Sequence, residues 1–345
     1  MNSLHVLVLT DLHLHEWPLY ATRTEEGKHA RLMDGISILR QASAYMKEHS
    51  IQRGWFLGDI NHIHDKMLYS VQSEFTQWFR RERELQHKWV FFVGNHDRDT
   101  ITGEHHCLES YHGPMEVVAT PKLITQDGFQ IACFPWIMDG KLDLPSIGKA
   151  DIGLFHHDFA NVLYRGRAIG RSGSTKVCEE YYPLSLCGHY HDRIKVSKKF
   201  LYLGAPMQHD IGDRGKKRGM YHLVLRRDQP PEITFIPTQY PRFVRVIASK
   251  PIDEAKFTGN FVQIIDDNGL GLGIWRQAVD AGARYAKVED PAIRLEGSAE
   301  LQGEEVSIFD FDAVVSDYVE QMDPKLKKSR LVNIGLEAMH AGLAE

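Results

Sequence analysis

Five short polar clusters, each placed where an apolar run ends, constrain this chain more than any other feature. Every cluster contains aspartate, asparagine or histidine, and four of the five contain histidine. They are Asp11-Leu12-His13, Gly58-Asp59, Gly94-Asn95-His96-Asp97, Phe155-His156-His157 and Gly188-His189-Tyr190-His191. Polar residues that follow buried strands collect at the carboxyl edge of an open α/β sheet, where ligands bind. We therefore expect the five clusters to converge in the folded chain.

The spacing of apolar residues predicts strands alternating with helices in the first part of the chain. Residues 4–10 form a near-continuous apolar run, which is typical of a strand buried on both faces. Apolar residues recur at helical spacing over 32–46, and buried strands are predicted again at 55–57 and 89–93. From about residue 117 the predicted strands become shorter. The whole pattern indicates a layered α/β domain.

Four prolines between residues 230 and 241 interrupt regular structure and mark the best domain boundary. We predict a first domain over residues 1–237, a small α/β capping or DNA-binding module over 238–308, and C-terminal helices over 309–345. The last helix carries an apolar stripe that either packs on its own domain or docks on a partner.

Composition narrows the class of protein without assigning a function. The chain has 345 residues, with 41 basic and 46 acidic side chains, and a formal net charge of −5. This balance argues against indiscriminate nucleic-acid binding, so any such contact needs a local basic patch. The four cysteines show no C-x-x-C spacing, and no apolar run approaches the roughly 18 residues of a membrane span. We expect a soluble protein of the cytoplasm, or of the host cytoplasm if the chain is viral, without membrane contact.

The residue types in the clusters predict a site for divalent cations. A carboxylate such as Asp59, placed behind a glycine that lets the backbone approach closely, can bridge two cations. Mixed oxygen and nitrogen ligands without thiolate suit Mn²⁺, Fe²⁺ or Zn²⁺ over Ca²⁺. His156 is favoured over His157 because it comes first after its strand, although the sequence leaves both open. The predicted ligands are Asp11, His13, Asp59, Asn95, His156, His189 and His191.

The ordered clusters resemble the calcineurin-like metallophosphoesterase superfamily, whose pattern is D-x-H, G-D, G-N-H-[DE], H and G-H-x-H. The match covers roughly residues 4–225. Within the superfamily, the chain is most similar to the nuclease subunit of SbcCD-type (meiotic recombination eleven-like) DNA double-strand-break repair complexes, including phage recombination nucleases. That likeness rests on Asp97 after Gly-Asn-His, on His62 three residues after Asp59, and on the segment from Tyr202 to Met207. Departures are His15 and Ala205, where the family usually has glycine and serine.

This resemblance implies a sandwich of two mixed β-sheets flanked by helices and a centre of two divalent metal ions. Mn²⁺ is the expected metal, with Fe²⁺, Zn²⁺ or Mg²⁺ as alternatives. His96 and His62 are implied as catalytic residues, and Asp97 is a plausible hydrogen-bond acceptor for His96.

The implied activity is that of a DNA exonuclease and endonuclease in repair or recombination. The implied partner of this nuclease is a coiled-coil SMC-like ATPase, and a homodimer is a further possible assembly. The alternatives are a phosphomonoesterase, a cyclic-nucleotide phosphodiesterase or a non-catalytic scaffold.

Two clusters of basic residues are candidates for gripping a DNA backbone, which requires charge but no base-specific geometry. They are equally compatible with ordinary solvated loops. The first cluster consists of Arg165, Arg167, Arg171 and Lys176, and the second of Arg214, Lys216, Lys217 and Arg218.

Overall fold

The computed structural model of the chain describes residues 3–100, 104–111, 115–168 and 170–289. The C-terminal helices predicted over 309–345, and the part of the predicted capping module beyond residue 289, lie outside the described residues. Within the described ranges no helix is long and apolar enough to cross a membrane.

Seventeen strands and five α-helices make up the described part of the chain. The strands are β1 (Ser3–Leu9), β2 (Arg53–Phe56), β3 (Lys88–Phe92), β4 (Glu116–Val118), β5 (Lys122–Gln126), β6 (Phe129–Phe134), β7 (Ile152–His156), β8 (Leu163–Tyr164), β9 (Arg167–Ala168), β10 (Ser185–Gly188), β11 (Ile194–Lys195), β12 (Phe200–Tyr202), β13 (Gly219–Arg226), β14 (Glu232–Pro237), β15 (Phe243–Ile247), β16 (Phe261–Ile265) and β17 (Tyr285–Glu289). The helices are α1 (Ala30–Glu48), α2 (Tyr69–Glu84), α3 (Leu144–Ile147), α4 (Thr175–Tyr181) and α5 (Gly271–Asp280).

Two six-stranded mixed sheets form the main body. The first has the order β14-β13-β1-β2-β3-β4, in which β1 to β4 are parallel and β13 is antiparallel to both neighbours. The second has the order β11-β12-β10-β7-β6-β5, with parallel strands at its centre and antiparallel strands at its edges. The predicted sandwich of two mixed sheets flanked by helices is confirmed.

Successive side chains of β1 point to opposite faces of the first sheet, which explains why another layer packs on each face. Val6 and Val8 point into the core shared with the second sheet, whereas Leu7 and Leu9 point into the core shared with α1 and α2. Both faces of β1 are therefore buried, which is why its sequence is a continuous apolar run rather than an alternating one.

A separate three-stranded parallel sheet, β15-β16-β17, follows the proline-rich segment and packs against α5. This small module contacts the first turns of α1. Arg284 forms an ion pair with Asp34 (2.8 Å) and donates a hydrogen bond to the carbonyl oxygen of Ala30 (3.1 Å). Tyr20 packs between rings of the module, 5.1 Å from both Phe243 and Tyr285. These contacts place the module beside the loop that follows β1.

Candidate metal centre

The carboxyl ends of five parallel strands meet at one edge of the sandwich. Asp11 and His13 follow β1, Asp59 follows β2, and Asn95 follows β3 in the first sheet. His156 is the last residue of β7, and His189 follows β10 in the second sheet. β1, β2 and β3 are neighbours, as are β7 and β10, so the polar residues at their ends are brought together.

The seven predicted ligands form two adjoining groups. Asp11, His13 and His191 each offer a ligand atom within 4.8 Å of the others, and so do Asp59, His156 and His189. Asn95 belongs to the second group, because its Oδ1 lies 2.9 Å from Nδ1 of His189 and 3.2 Å from Nε2 of His156. Each group could hold a metal ion.

Asp59 lies between the two groups. Its Oδ2 is 3.6 Å from Nε2 of His13 in the first group and 3.3 Å from Nε2 of His156 in the second. Its other oxygen, Oδ1, accepts a hydrogen bond from the backbone N–H of His96 (2.8 Å). One carboxylate thus faces both groups in the orientation that a bridging ligand needs, and the residues present fit a pair of divalent cations.

Four candidate ligands have a backbone conformation that side chains rarely adopt. The φ angles of Asp11, His13, Asp59 and His189 are 53°, 48°, 59° and 83°. Ten non-glycine residues in the described ranges have positive φ, so four of those ten lie in this one site. Such strain costs about 1–3 kcal/mol per residue and gathers at functional sites. Here it turns the side chains of consecutive loops toward a common centre.

Two glycines make room for the ligands. A Cβ at Gly94 would collide with Oδ1 and the backbone N of Asp59, and a Cβ at Gly58 would collide with the His156 ring. Gly58 also has φ +99°, which favours glycine. The Gly-Asp and Gly-Asn-His clusters therefore need glycine because the backbone passes directly against a ligand side chain.

Asp97 ties the loop after β2 to the loop after β3. Its Oδ2 accepts hydrogen bonds from the backbone N–H groups of Asp59 and Gly94 (both 2.8 Å), and its Oδ1 accepts from the N–H of Asn61 (3.0 Å). The prediction that Asp97 accepts from the His96 ring is wrong. Nδ1 of His96 donates instead to the carbonyl oxygen of His62 (2.6 Å).

The two predicted catalytic histidines lie beside the first ligand group. The ring of His96 stacks on the ring of His62 at 5.4 Å and lies 4.7 Å from the ring of His13. Nδ1 of His62 is 3.4 Å from Nδ1 of His13. Because Nδ1 of His96 is engaged by a carbonyl, its Nε2 remains to act on a bound molecule.

The structure separates the roles of His156 and His157. His156 Nδ1 donates to the carbonyl oxygen of Leu57 (2.5 Å), which leaves Nε2 facing the ligand groups. His157 is buried, with Nε2 donating to the carbonyl of Pro135 (2.7 Å) and Nδ1 beside the Ser172 hydroxyl (3.3 Å). Both nitrogens of His157 thus have partners outside the two groups.

Burial sets the protonation of most of these imidazoles. It lowers the pKa of His191 to about 4 and that of His13 and His189 well below the usual range, so these rings are neutral at pH 7. Neutral imidazole is the form that binds metal. His156 differs: burial would lower its pKa, but the carboxylate of Asp59 outweighs burial and raises it to about 9.

The two carboxylates of the site are affected in opposite directions. Burial raises the pKa of Asp11 to about 7. Burial also acts to raise the pKa of Asp59, but His156 overcomes it and the pKa falls well below the usual range. Without metal, Asp59 is therefore ionised and paired with a protonated His156. Metal binding would displace the proton of His156, so binding is coupled to proton release.

Three aromatic residues beside the centre were missed by the sequence reasoning. Nε2 of His209 donates to the carbonyl of Asp11 (2.9 Å), and its ring lies 5.2 Å from His13. The Trp17 ring is 4.1 Å from that of His62, and the His15 ring is 5.2 Å from it. No spacing pattern distinguishes these residues. Their only signal is position, since Trp17 and His15 follow Asp11-Leu12-His13 closely.

The first predicted basic cluster spreads over β8–β9 and α4. Arg165 forms an ion pair with Asp213 (3.0 Å), and Arg171 approaches Asp158 (3.5 Å) while its guanidinium lies over the Trp136 ring. Arg167 and Lys176 are exposed.

The second predicted basic cluster surrounds two buried or half-buried carboxylates. Arg218 is buried and shared between Asp192 (3.3 Å) and Asp213 (2.8 Å), and Lys216 pairs with Asp192 (2.5 Å). Arg214 and Lys217 are exposed. Arg218 therefore stabilises its loop, whereas the exposed members are available to a ligand.

No protein-family model and no curated protein matches this chain. Among solved structures, a dimetal phosphatase from Danio rerio superposes with 9% identity and a TM-score of 0.39, over 67% of this chain and 95% of that one. The nuclease MPE of Pseudomonas putida has 16% identity and a TM-score of 0.28, over 66% and 87%. GAP50, the anchor in the inner membrane complex of Plasmodium, has 11% identity and a TM-score of 0.38, over 69% and 85%. At these TM-scores none of the three supports a conclusion about substrate or activity.

Proposed function

We propose that this protein is a dinuclear-metal phosphodiesterase that cleaves DNA. The observation that carries the proposal is the position of Asp59, whose Oδ2 faces His13 on one side and His156 on the other. Two cations held by these groups would clamp a phosphate and lower the pKa of a water between them toward neutrality. The ligand chemistry favours Mn²⁺, with Fe²⁺, Zn²⁺ or Mg²⁺ as alternatives.

His96 is the proposed proton donor to the leaving oxygen. Its Nδ1–H is held by the His62 carbonyl, and its backbone N–H is held by Asp59, so the ring is fixed relative to the ligands. This step requires the imidazolium form, in which both ring nitrogens carry a proton. As a hydroxide derived from water would form the new P–O bond, the proton of Nε2 passes to the oxygen that leaves phosphorus. General acid help of this type contributes roughly 10²–10⁴-fold.

His62 is proposed to orient the scissile phosphodiester. Its ring contacts the rings of His96 and Trp17, whose centroids are 5.4 Å and 4.1 Å away, so packing against both restrains its position. Burial lowers the pKa of His62 to about 4, so it would bind phosphate oxygens through a neutral N–H.

DNA is the proposed substrate because exposed cations lie in the chain segments between and after the candidate ligands His156, His189 and His191, while the chain as a whole is acidic. Arg167, Lys176, Arg214 and Lys217 are exposed in the two basic clusters, and the formal net charge is −5. A local excess of this kind suits a phosphate backbone. We also propose that the protein acts as an exonuclease and an endonuclease in DNA repair or recombination. It would do so in the cytoplasm of a cell or of a viral host.

The test offers the purified chain five substrates with Mn²⁺, Mg²⁺ or chelator: duplex DNA, single-stranded DNA, p-nitrophenyl phosphate, bis-p-nitrophenyl phosphate and a 3′,5′-cyclic nucleotide. We expect metal-dependent cleavage of DNA and of the bis-ester, with negligible turnover of the monoester. Turnover of the monoester alone would select the phosphomonoesterase, and cleavage of a cyclic nucleotide alone would select the cyclic-nucleotide enzyme. Inactivity toward every phosphoester with each metal would favour the scaffold.

A coiled-coil SMC-like ATPase is the proposed partner, with residues 309–345 as its docking segment. The support is the sequence alone: an apolar stripe at Val332, Leu336, Met339 and Leu343. A chain truncated after residue 308 should remain active on bis-p-nitrophenyl phosphate and lose binding to the ATPase when the two are mixed. Binding that persists would refute this segment as the docking site, and sedimentation of the intact chain would show whether it forms a homodimer.

A further inference from the structure

A basic groove lies between the main body and the small module. Its volume is about 900 Å³, and it is bordered by the end of β14, the start of β15 and the loop over residues 214–218. Eight lysine or arginine residues line it, and none of the described residues lining it is aspartate or glutamate. In a chain with a net charge of −5, this is a marked local surplus of positive charge.

Not all of these charges are neutralised by neighbouring acids. Lys216 and Arg218 pair with Asp192, and Lys256 pairs with Asp253 (3.2 Å). Lys217 and Arg242 are exposed, and within the described ranges neither has an ion-pair partner. These two side chains are therefore available to an anion that enters the groove.

Aromatic rings alternate with the cations. Phe235 and Tyr240 are half-buried in the wall of the groove, and the guanidinium of Arg193 lies 4.8 Å from the centre of the Phe235 ring. A positively charged groove with interspersed aromatic rings suits a single nucleic-acid strand, because unpaired bases expose faces that can stack. A volume near 900 Å³ is in the range of small-molecule sites and holds a few nucleotides.

The groove begins next to the metal centre. Arg193, in its wall, is two residues after His191 of the first ligand group. Gln208, also in its wall, precedes His209, whose imidazole donates to the carbonyl of Asp11. Two residues of the groove wall are thus within two positions of residues at the metal centre, which brings this end of the groove close to the ligands.

We propose that this groove binds an unpaired strand of the nucleic-acid substrate, continuous with the part of the strand held at the metal centre. The inference rests on the proposed function, because it names the strandedness of the substrate that the metal centre would cleave. Lys217 and Arg242 hold phosphates, and Tyr240 stacks on a base.

The test measures binding of the full-length chain to a fluorescein-labelled oligo(dT) by anisotropy, in chelator so that no cleavage occurs. Lys217→Gln/Arg242→Gln removes two phosphate contacts. We expect the variant to bind oligo(dT) roughly tenfold more weakly. The slope of log K against log salt should also become smaller by about 1.4, because each phosphate contact to a single strand contributes about 0.7 and two contacts are removed. The matched control is Arg80→Gln/Lys149→Gln, two exposed residues outside the groove, which should leave both values unchanged.

A second variant tests the stacking part of the proposal without changing charge. Tyr240→Leu should weaken oligo(dT) binding about fivefold or more, since one stacked base contributes at least that factor. The salt slope should not change. Circular dichroism and the unchanged salt slope would show that the variant is folded and still holds the backbone.

Four outcomes would overturn the inference. The first is an equal loss of oligo(dT) affinity in the groove variant and its control, and the second is that the groove variant loses as much affinity for a duplex of the same length. The third is that a polyglutamate peptide displaces oligo(dT) as effectively as unlabelled oligo(dT) does. The fourth is that a mononucleotide alone saturates the groove. Hydrolysis of bis-p-nitrophenyl phosphate by the wild-type protein is measured separately. Groove-dependent binding without hydrolysis would refute the proposed function only, and hydrolysis with groove-independent binding would refute this inference only.

Discussion

At the scale of single residues, the metal centre depends on buried side chains that hold the ligand loops in place through hydrogen bonds. Asp97 shows this most clearly, because its two oxygens accept three backbone hydrogen bonds from the loops that carry Asp59 and Asn61 and from Gly94. It is buried and is not a candidate ligand itself. Its role is to hold the ligand loops in their strained conformations.

Replacing Asp97 should destabilise the fold and loosen the centre together. In Asp97→Asn the amide nitrogen cannot accept, so at least one buried N–H loses its acceptor, at about 1–3 kcal/mol, and the charge that strengthens the other bonds is lost. We expect the free energy of unfolding, measured in urea, to fall by about 2–4 kcal/mol, and Mn²⁺ affinity to fall with it. Asp139→Asn, at an exposed position, should change stability by less than about 0.5 kcal/mol. Equal changes in the two variants would contradict this role.

Removing the His96 side chain should slow catalysis without changing the number of bound metal ions. In His96→Ala the seven candidate ligands remain, so we expect two bound metal ions per chain by elemental analysis, as in the wild type. Turnover of bis-p-nitrophenyl phosphate should fall roughly 10²–10⁴-fold, because the proton donor is gone. The control is His105→Ala, whose side chain is 80% exposed. Wild-type turnover in His96→Ala would remove this residue from the mechanism.

At the scale of secondary-structure elements, α1 joins the main body to the small module. One side of the helix contributes Leu32, Ile36 and Leu39 to the core under the first sheet. Its first turns contribute Asp34 and the carbonyl of Ala30 to the contact with Arg284. The same helix therefore determines where one wall of the basic groove stands relative to the metal centre.

Removing Arg284 should weaken this junction. Arg284→Ala leaves the carboxylate of Asp34 buried without its cation and the Ala30 carbonyl without its donor, which costs about 2 kcal/mol or more. We expect faster amide hydrogen exchange throughout residues 243–289 and unchanged exchange in β1 to β3. Lys256→Ala removes only an exposed ion pair with Asp253 and should cost less than about 1 kcal/mol. Uniformly faster exchange across the chain would refute the role of Arg284 as a local anchor.

At the scale of the whole molecule, buried histidines should make the metal-free protein sensitive to acid. Burial lowers the pKa of His62 and His191 to about 4 and that of His157 to about 3, compared with about 6.5 when unfolded. Between pH 6.5 and 4 the unfolded chain therefore binds protons that the folded chain does not. These histidines therefore act to lower the free energy of unfolding as the pH falls through this window.

Three carboxyl groups oppose this trend. Burial raises the pKa of Asp11 to about 7, that of Asp97 to about 6 and that of Asp34 above its usual range, so the folded chain keeps protons that the unfolded chain loses above about pH 4. The histidines outnumber them, because burial also lowers the pKa of His13, His189 and His209. We expect the urea midpoint in chelator to decrease from pH 7 to 4.5. A constant or increasing midpoint would contradict the expected balance.

The layered α/β fold and the ligand types of the candidate site were readable from the sequence, because each depends on local chemistry. The continuous apolar run of β1 and the polar residues at its end follow from burial on both faces and from the strand ending there. The close contact between the backbone at Gly94 and Asp59 is also visible in the sequence, because only glycine, which has no side chain, fits at position 94.

Other features were decided only by the tertiary structure, because they depend on how distant segments meet. His13 and His191 are 178 positions apart in sequence yet their Nε2 atoms lie 3.0 Å apart, and no local period encodes such a distance. The choice between His156 and His157 depends on which carbonyls surround each ring, and the acceptor of His96 depends on the path of the loop after β2. The basic groove likewise exists only because β14, β15 and a distant loop fold against one another.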